Sequence, residues 1–575
     1  MRKVQRESGA PVLSDPNSIP AIHYRGGNLV PRSARPGGLI VFMPSGGGKS
    51  RLQGRGICYT DLMQGIGTVV CDAVGGTIDN CLDKVLYLSQ DKQPEVLDRI
   101  RYCNMAGEQL ESGETLVTSW PMLAKRNSQE SYNRVAQRIV DLIARTDRRL
   151  ANATIQGLKR LAHLLVPVLI LLQERQLPIS TADDLLRNPK EWEAEVARIG
   201  EENPRLKESV SEFLHFCTLS ERVREERSEP LRNRLGMLKF DDVQRAMFAT
   251  QRPPLIDWEE VAAKGLTVFI DLRDETSDQD RELKLFWVWN SLRDYIRSRG
   301  SSGHDHPPLS LIIDELSFFV NGTNLNTDVI IEDFRELIQV RKRNANIWLT
   351  LATQNQEDLP ETLRRACLQI ASQLYGSVQD VEIAKELAER WYKADPKKIK
   401  DQTRGFKSMP PPPTMLPSRS RGEWEMEGHT LEVKNTTFYT LDEQHYEHSR
   451  RFVEQHKGYG LFAQSQFEGH IPRELLPINL NALDLGKNGK PKYVNDQMVT
   501  EFRRRLMKRD GVPVSQVLTE LDPVTEEAAP SLLTDEGEMP REAAHDGRYQ
   551  QQPPPPPPSA NGQPESGDRF GDLPL

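Results

Sequence analysis

The chain has 575 residues, of which 37% are hydrophobic and 27% charged, a composition typical of a water-soluble protein with more than one core. The longest dense apolar stretch, Leu161 to Leu172, is interrupted by His163 and Pro167. It is shorter than the ~20 residues that cross a bilayer, so it predicts a buried helix. Residues 1–10 lack the apolar core of a signal peptide, and six cysteines without paired spacing argue against a zinc site.

The net charge of −8 is concentrated at the C-terminus. The segment from Glu520 to Leu575 carries 12 acidic and 3 basic side chains, so the rest of the chain is almost neutral. A neutral body can still contain a basic channel, and the net charge therefore does not exclude a nucleic-acid partner.

Five short apolar runs have the length and character of strands buried on both faces of a parallel sheet. They are Leu39–Met43, Thr68–Asp72, Leu266–Leu272, Leu309–Asp314 and Ile347–Thr353. Between the second and third runs, residues 128–234 are almost entirely helical in pattern and predict an all-α insertion. Apolar residues at helical spacing in residues 281–299 predict a crossover helix. Strands that alternate with helices predict an α/β domain with a mainly parallel sheet.

Two proline-rich stretches predict breaks in the C-terminal part. Four prolines at 410–413 predict a linker over residues 401–423, and six at 553–558 lie in an acidic tail, 520–575, that we expect to be disordered. Residues 424–519, in which Thr430 to Tyr439 alternate polar and apolar side chains, predict a small mixed α/β domain. Within it, Arg503-Arg504-Arg505 and Lys508-Arg509 are interpreted either as phosphate-backbone contacts or as the solvated face of a helix.

The first apolar run leads into Met43-Pro44-Ser45-Gly46-Gly47-Gly48-Lys49-Ser50, the pattern of a P-loop, or Walker A motif, apart from Met43 where a glycine is usual. In such a loop, backbone N–H groups and a helix N-terminus surround the phosphates of ATP. Lys49 would reach the β- and γ-phosphates, and Ser50 would bind Mg²⁺. A glycine-rich turn without a ligand is the alternative. The residues predicted to bind the nucleotide are Pro44, Ser45, Gly46, Gly47, Gly48, Lys49, Ser50 and Arg51.

Two further motifs follow strands at the same predicted sheet edge. Asp314 and Glu315 end the Walker B run; Asp314 would bind Mg²⁺ together with Ser50, and Glu315 would polarise the attacking water. The alternative is an ordinary helix N-terminus. Gln354 follows the fifth run, where it would sense the γ-phosphate; the alternative is a neutral residue at the end of a strand. Upstream of it, Arg341 and Arg343 are candidates for an arginine finger that acts on a neighbouring subunit, or for helix capping.

These motifs, in this order, resemble the FtsK/HerA-like P-loop ATPases, and within them the type IV secretion coupling proteins of the TraG/TraD group. The resemblance spans residues 36–395 and includes Gly67–Gly75, Pro254–Asp257, Gly265–Leu272 and Arg341–Gln354. Ala73-Val74 depart from the Asp-Pro-Lys/His-Gly form of the second strand. Spacing to Gln354 favours Arg343 as the finger, whereas Arg341-Lys342 match the family's dipeptide, so both arginines remain candidates.

The resemblance implies a RecA-like fold and a division of the chain into seven segments. These are an N-terminal arm (1–35), the first part of the ATPase domain (36–120), the α-insertion (121–235), the second part of the ATPase domain (236–400), the linker (401–423), the small domain (424–519) and the tail (520–575).

The resemblance also implies a function: an ATP- and Mg²⁺-dependent motor that forms a homohexamer and moves DNA in conjugation or a mobile element. Coupling proteins usually have an N-terminal membrane anchor, and none is evident here. We therefore expect a cytoplasmic protein, tied to the membrane through a membrane-anchored or relaxase-type partner. The alternatives are a related motor in DNA end processing, phage packaging or defence, and a nucleotide-dependent scaffold or protein-export ATPase.

Overall fold

The computed structural model describes residues 23–24, 27–28, 32–88, 93–123, 131–146, 155–175, 177–237, 241–273, 278–301, 306–321, 327–341, 345–392, 394–409, 429–464, 476–484 and 495–521. Its strands are β1 (His23–Tyr24), β2 (Gly27–Asn28), β3 (Leu39–Phe42), β4 (Gly67–Asp72), β5 (Ile100–Asn104), β6 (Glu108–Gln109), β7 (Thr115–Val117), β8 (Thr267–Asp271), β9 (Leu309–Asp314), β10 (Ile347–Thr353), β11 (Ser372–Tyr375), β12 (Ile399–Met409), β13 (His429–Phe438), β14 (Tyr459–Gln464), β15 (Leu476–Asn479) and β16 (Val512–Pro513).

The α-helices are α1 (Lys49–Arg51), α2 (Tyr59–Met63), α3 (Gly76–Leu86), α4 (Gln93–Asp98), α5 (Tyr132–Thr146), α6 (Ile155–Glu174), α7 (Ala182–Arg187), α8 (Glu193–Glu202), α9 (Lys207–Thr218), α10 (Glu221–Met237), α11 (Asp242–Phe248), α12 (Trp258–Lys264), α13 (Asp278–Ser301), α14 (Leu316–Val320), α15 (Thr327–Glu336), α16 (Glu361–Cys367), α17 (Val381–Trp391), α18 (Leu441–Val453), α19 (Asp496–Asp510) and α20 (Val514–Leu521). Two π-helical stretches, Leu52–Cys58 and Leu337–Arg341, continue α1 and α15.

Nine strands form one sheet in the order β15-β14-β11-β3-β10-β9-β4-β8-β5. The seven strands from β11 to β5 are parallel, whereas β14 pairs antiparallel with β11 and β15 with β14. All five predicted strands are present, within one residue of their predicted ends. They are buried along their whole length, as continuous apolar runs require. The predicted α/β fold with a mainly parallel sheet is therefore confirmed.

Alternate side chains of the parallel strands enter two hydrophobic cores, one on each face of the sheet. On one face, residues such as Val70 and Phe269 pack with helices α3 and α19. On the other, Val69 and Ile270 pack with α13 and α15, and this core continues into the helical insertion. The sheet is thus covered on both sides, and its chemistry is confined to the edge where the strands end.

The predicted all-α insertion consists of helices α5 to α10, with short 3₁₀ turns between them. Its central helix, α6, contains Pro167 and has a buried apolar stretch from Leu164 to Leu172, as the sequence predicts for this segment. Within the part of the chain that the structure describes, no helix is long and apolar enough to cross a membrane.

The C-terminal part differs from the predicted small domain over residues 424–519. Strands β14 and β15 extend the main sheet beyond β11, and α19 packs in the same core as β5. The described residues up to Leu521 accordingly form one compact unit. The physical reason is that β14 covers the backbone groups of β11, which would otherwise be an open sheet edge.

The predicted linker over residues 401–423 also differs, because residues 401–409 belong to β12. This strand pairs antiparallel with β13 in a two-stranded ribbon of its own. Residues 410–428, which include the four prolines, lie outside the described residues, as does the predicted tail beyond residue 521. The arm over residues 1–35 is described only in part. Its last turn is packed into the domain, where Arg35 forms a buried ion pair with Asp61 at 2.8 Å.

Candidate nucleotide-binding site

The glycine-rich loop connects strand β3 to helix α1 at the carboxyl edge of the sheet. Gly46 and Gly48 have φ angles of +73° and +108°, in the left-handed region that favours glycine. The loop is closed by the Gly47 N–H, which donates to the Pro44 carbonyl at 2.9 Å. Helix α1 begins at Lys49, directly after the loop, with Gly48 as its N-cap. The strand, loop and helix thus have the arrangement that a phosphate-binding loop requires.

Met43, which stands where the motif usually has glycine, is completely buried. Its side chain occupies the space beside two glycines, since a Cβ added at Gly47 or Gly376 would lie 2.3 or 2.7 Å from Met43 Cγ. The missing glycine is therefore compensated by packing against residues that have no side chain. This departure does not disturb the loop.

The acidic pair after β9 meets the lysine of the loop. Lys49 Nζ lies 2.5 Å from Glu315 Oε2 and 3.4 Å from Asp314 Oδ1. All three side chains are nearly buried, with exposures of 11%, 10% and 1%. Ion pairs in such surroundings are screened weakly. The lysine and the two carboxylates therefore form one electrostatic unit.

Glu315 has an unusual backbone. Its φ is +63°, one of two positive values among the described residues other than glycine. Burial by itself would raise the pKa of its carboxyl group, but the charge of Lys49 and hydrogen bonds from Lys49, Ser317 and Gln354 outweigh burial and lower it. Backbone strain of this kind persists only where the surrounding structure fixes it. Here it directs an ionised carboxylate towards the lysine.

Ser50 and Asp314 offer oxygen atoms suited to Mg²⁺. Ser50 Oγ lies 3.3 Å from Asp314 Oδ2, and the other oxygen, Oδ1, is buried, makes no hydrogen bond to any described residue and lies 3.4 Å from Lys49 Nζ. A hydroxyl and a carboxylate are the ligands that Mg²⁺ accepts from proteins alongside water and phosphate oxygens. The pair predicted for the metal is thus brought together, and its chemistry fits the ion.

Solved structures that are similar to this chain include a conjugative coupling protein and VirB4. The unbound monoclinic form of the bacterial conjugative coupling protein TrwBdeltaN70 is 14% identical over 84% of this chain and 92% of its own, with a TM-score of 0.47. The plasmid coupling protein TrwB in complex with the non-hydrolysable GTP analogue GDPNP is 16% identical over 83% and 92%, with a TM-score of 0.42. VirB4 of Thermoanaerobacter pseudethanolicus is 14% identical over 84% and 98%, with a TM-score of 0.40.

Coupling proteins, the group that the motifs resemble, are among these structures. No protein-family model matches the sequence, and no curated protein is similar to it.

Thr77 is a site residue that the sequence did not reveal. It is fully buried in the first turn of α3, and its Oγ1 donates to Asp314 Oδ2 at 2.9 Å. Gln53 Oε1 lies 3.2 Å from the same hydroxyl and is its second possible acceptor. Because a hydroxyl has a single proton, Thr77 can donate a hydrogen bond to only one of these acceptors, Asp314 or Gln53, at a time. No sequence motif marks this threonine, since its role depends on a strand 237 positions away.

Asp72 fixes the start of α3 beside Asp314. The two residues are opposite each other in the pairing of β4 with β9, and Asp271 is opposite Asp72 on the other side. Burial, reinforced by the charges of Asp314 and Asp271, raises the pKa of Asp72 to about 7. Its two oxygens accept four backbone N–H groups, those of Val74, Gly75, Thr77 and Ile78. The Asp-x-x-Gly strand end thus serves to anchor a helix.

The remaining predicted residues have different outcomes. Gln354 follows β10 and hydrogen-bonds to Glu315, so the structure brings it to the site. Arg343 lies outside the described residues, and Arg341 ends the π-helical stretch after α15. Arg51 donates to Asn481 Oδ1 at 2.8 Å. The choice between the two arginines as a finger therefore stays a prediction.

The basic cluster of α19 follows the solvated-face interpretation only in part. Arg503 lies 3.7 Å from Asp79 and 3.6 Å from Asp271, and Arg504 lies 3.2 Å from Glu108. These contacts bind the helix to the edge of the sheet. Arg505 remains exposed. Part of the cluster is thus a packing surface that sequence spacing alone could not distinguish from a solvated one.

Proposed function

We propose that the chain is a Mg²⁺-dependent ATPase whose site lies where β3 and β9 end. The supporting observation is the cluster of Lys49, Ser50, Asp314 and Glu315, which joins two segments some 264 residues apart. It combines a cation, a hydroxyl and two carboxylates beside a phosphate-binding loop. Phosphoryl transfer needs these groups, because its catalysis is mostly positioning and charge stabilisation.

In the proposed cycle, Lys49 exchanges its contact with Glu315 for the phosphate oxygens of ATP. The exchange frees Glu315 to accept a proton from the attacking water, and the hydrogen bonds that remain favour the ionised form of its carboxylate. Ser317 and Gln354 orient its carboxylate through their hydrogen bonds. Ser50 and Asp314 would hold Mg²⁺, which neutralises phosphate charge when it is bound.

We propose further that hydrolysis drives the movement of DNA by a homohexameric ring. The support for this step is the ordered set of motifs, which resembles that of DNA-pumping coupling proteins. In a ring, Arg343 or Arg341 would reach the nucleotide of the neighbouring subunit. A membrane-anchored or relaxase-type protein would then recruit the motor from the cytoplasm.

The experiment is to measure ATP hydrolysis by the purified protein with single-stranded DNA, with double-stranded DNA and without DNA, beside Lys49→Ala. Stimulation by DNA that vanishes in the variant supports the motor. Hydrolysis that is indifferent to both forms of DNA contradicts the coupling to DNA and favours a scaffold or protein-export ATPase. Absence of hydrolysis in wild-type protein under all conditions contradicts the ATPase itself.

A further inference from the structure

The turn before strand β14 is attached to the phosphate-binding loop. The turn is closed by the Tyr459 N–H, which donates to the His456 carbonyl at 3.0 Å. At its centre, the Gly458 N–H donates to the Gly47 carbonyl at 3.1 Å. This bond joins residues more than 400 positions apart and fixes the backbone of the turn against the loop.

A second contact comes from the segment after β15. Leu480 packs against Gly48, where an added Cβ would lie 3.1 Å from Leu480 Cδ1. The Leu480 N–H donates to the Gly458 carbonyl at 2.6 Å. The next residue, Asn481, accepts the hydrogen bond from Arg51. We call residues 456–458 together with 480–481 the C-terminal wall.

Lys457 is the charged residue that this wall brings to the loop. Its side chain is exposed, and its Nζ would lie 3.8 Å from a Cβ added at Gly46. Within the described part of the chain, its ammonium group has no hydrogen bond or ion pair. By contrast, Lys49 is held by two carboxylates and Arg51 by an amide. An uncommitted cation thus lies beside the loop that would cradle the phosphates.

We propose that the C-terminal wall is a second side of the nucleotide site, in the same subunit, and that Lys457 binds the phosphates. An additional cation is favourable at this site because the acidic pair and the phosphates are both negatively charged. Lys49 must be shared between the carboxylates and an incoming polyphosphate, so an additional cation reduces the repulsion between phosphates and the acidic pair. Lys457 directly precedes Gly458, whose N–H is bonded to Gly47 of the loop. The backbone of Lys457 is therefore fixed beside the loop, which lowers the entropic cost of a contact between its side chain and phosphate. This inference rests on the proposed ATPase function.

The test is the affinity of the full-length protein for the fluorescent nucleotides mant-ADP and mant-ATP. Lys457→Ala should raise Kd by about tenfold, the loss of one charge-assisted hydrogen bond, whereas Lys457→Arg should retain most of the affinity. The matched control is Lys385→Ala, an exposed lysine of α17, which should bind as the wild type does. Binding by Lys457→Ala that equals the wild type would overturn the role of Lys457.

Salt dependence separates a phosphate contact from a structural effect. If Lys457 binds phosphate, the slope of log Kd against log salt concentration is shallower in Lys457→Ala, because one ionic contact is lost. A weakened affinity with an unchanged slope would instead overturn the phosphate contact. A wild-type protein that binds neither nucleotide would overturn the proposed ATPase as well, so the two failures are distinguishable.

Discussion

The candidate site has two sides that differ in chemistry. The first comprises the phosphate-binding loop and the residues after β9, where Lys49, Asp314 and Glu315 form a nearly buried electrostatic unit. The C-terminal wall makes backbone and apolar contacts to the same loop, and its charge, Lys457, is exposed. In the proposed site, the parallel strands thus supply the catalytic groups, and the antiparallel strands at the edge of the sheet support the phosphate-binding loop. Changes on the first side should abolish hydrolysis, and changes on the wall should tune affinity.

The largest effect is expected for Lys49→Ala. The variant removes the cation that contacts both carboxylates, and leaves Glu315 and Asp314 as unpaired acids facing the phosphates. We expect ATP hydrolysis to fall by about a hundredfold or more, the cost of removing one preorganised charge contact. Steady-state hydrolysis at saturating Mg²⁺ is the measurement. A variant that hydrolyses ATP within about twofold of the wild type would show that the first side is not the catalytic one.

A smaller effect is expected for Thr77→Val, which keeps the shape of the buried side chain but removes the hydrogen bond to Asp314 Oδ2. Groups that orient metal ligands typically contribute about tenfold or more to metal affinity. We therefore expect the Mg²⁺ concentration for half-maximal hydrolysis to rise about tenfold.

Thr77→Ser keeps the hydroxyl and is the matched control, with a Mg²⁺ requirement close to that of the wild type. If valine and serine variants titrate alike with Mg²⁺, then Thr77 does not position Asp314.

The smallest effect is expected for Gly458→Ala on the C-terminal wall. Gly458 has φ of +77°, and an added Cβ would lie 2.2 Å from Asn481 Oδ1. We expect a loss of about 1–2 kcal/mol in unfolding free energy from strain, and a nucleotide affinity weaker by a few-fold because Asn481 is displaced.

Gly113→Ala is the matched control for the cost of placing alanine at a positive φ, since Gly113 has φ of +85° and open space around its Cβ position. Comparison of thermal unfolding and mant-ATP binding in the two variants gives the contribution of the wall. Equal nucleotide affinity in both would remove the wall from the site.

The sequence predicts the first side well, because its signals are local. A strand-length apolar run followed by a glycine-rich loop, or by Asp314-Glu315, identifies each element by itself, and parallel pairing brings the strand ends together. The five apolar strands and the helical insertion are found for the same reason. The approach of Gln354 to Glu315 follows from the position of β10 between β3 and β9.

The C-terminal wall, the packing of α19 and the role of Thr77 could not be predicted from the sequence, because each depends on a partner that is distant in the chain. The segments of β14 and β15 are predicted as a separate domain because neither the pairing of β14 with β11 nor that of β15 with β14 leaves a local signal in the sequence. Arg503 and Arg504 belong to a basic run whose ion pairs come from Asp79, Asp271 and Glu108. Thr77 carries no motif, and its contact depends on the register of β4 against β9. In each case the information lies in a tertiary contact, which no local pattern records.

The measurement that tests the central claim most directly follows ATP bound to Glu315→Gln. This change removes the proposed base but leaves Lys49, Ser50 and Asp314 in place. After mixing with radiolabelled ATP and Mg²⁺ and rapid filtration, the variant should retain unhydrolysed ATP, whereas the wild type should release ADP. Hydrolysis by Glu315→Gln at the wild-type rate would contradict the assignment of the site.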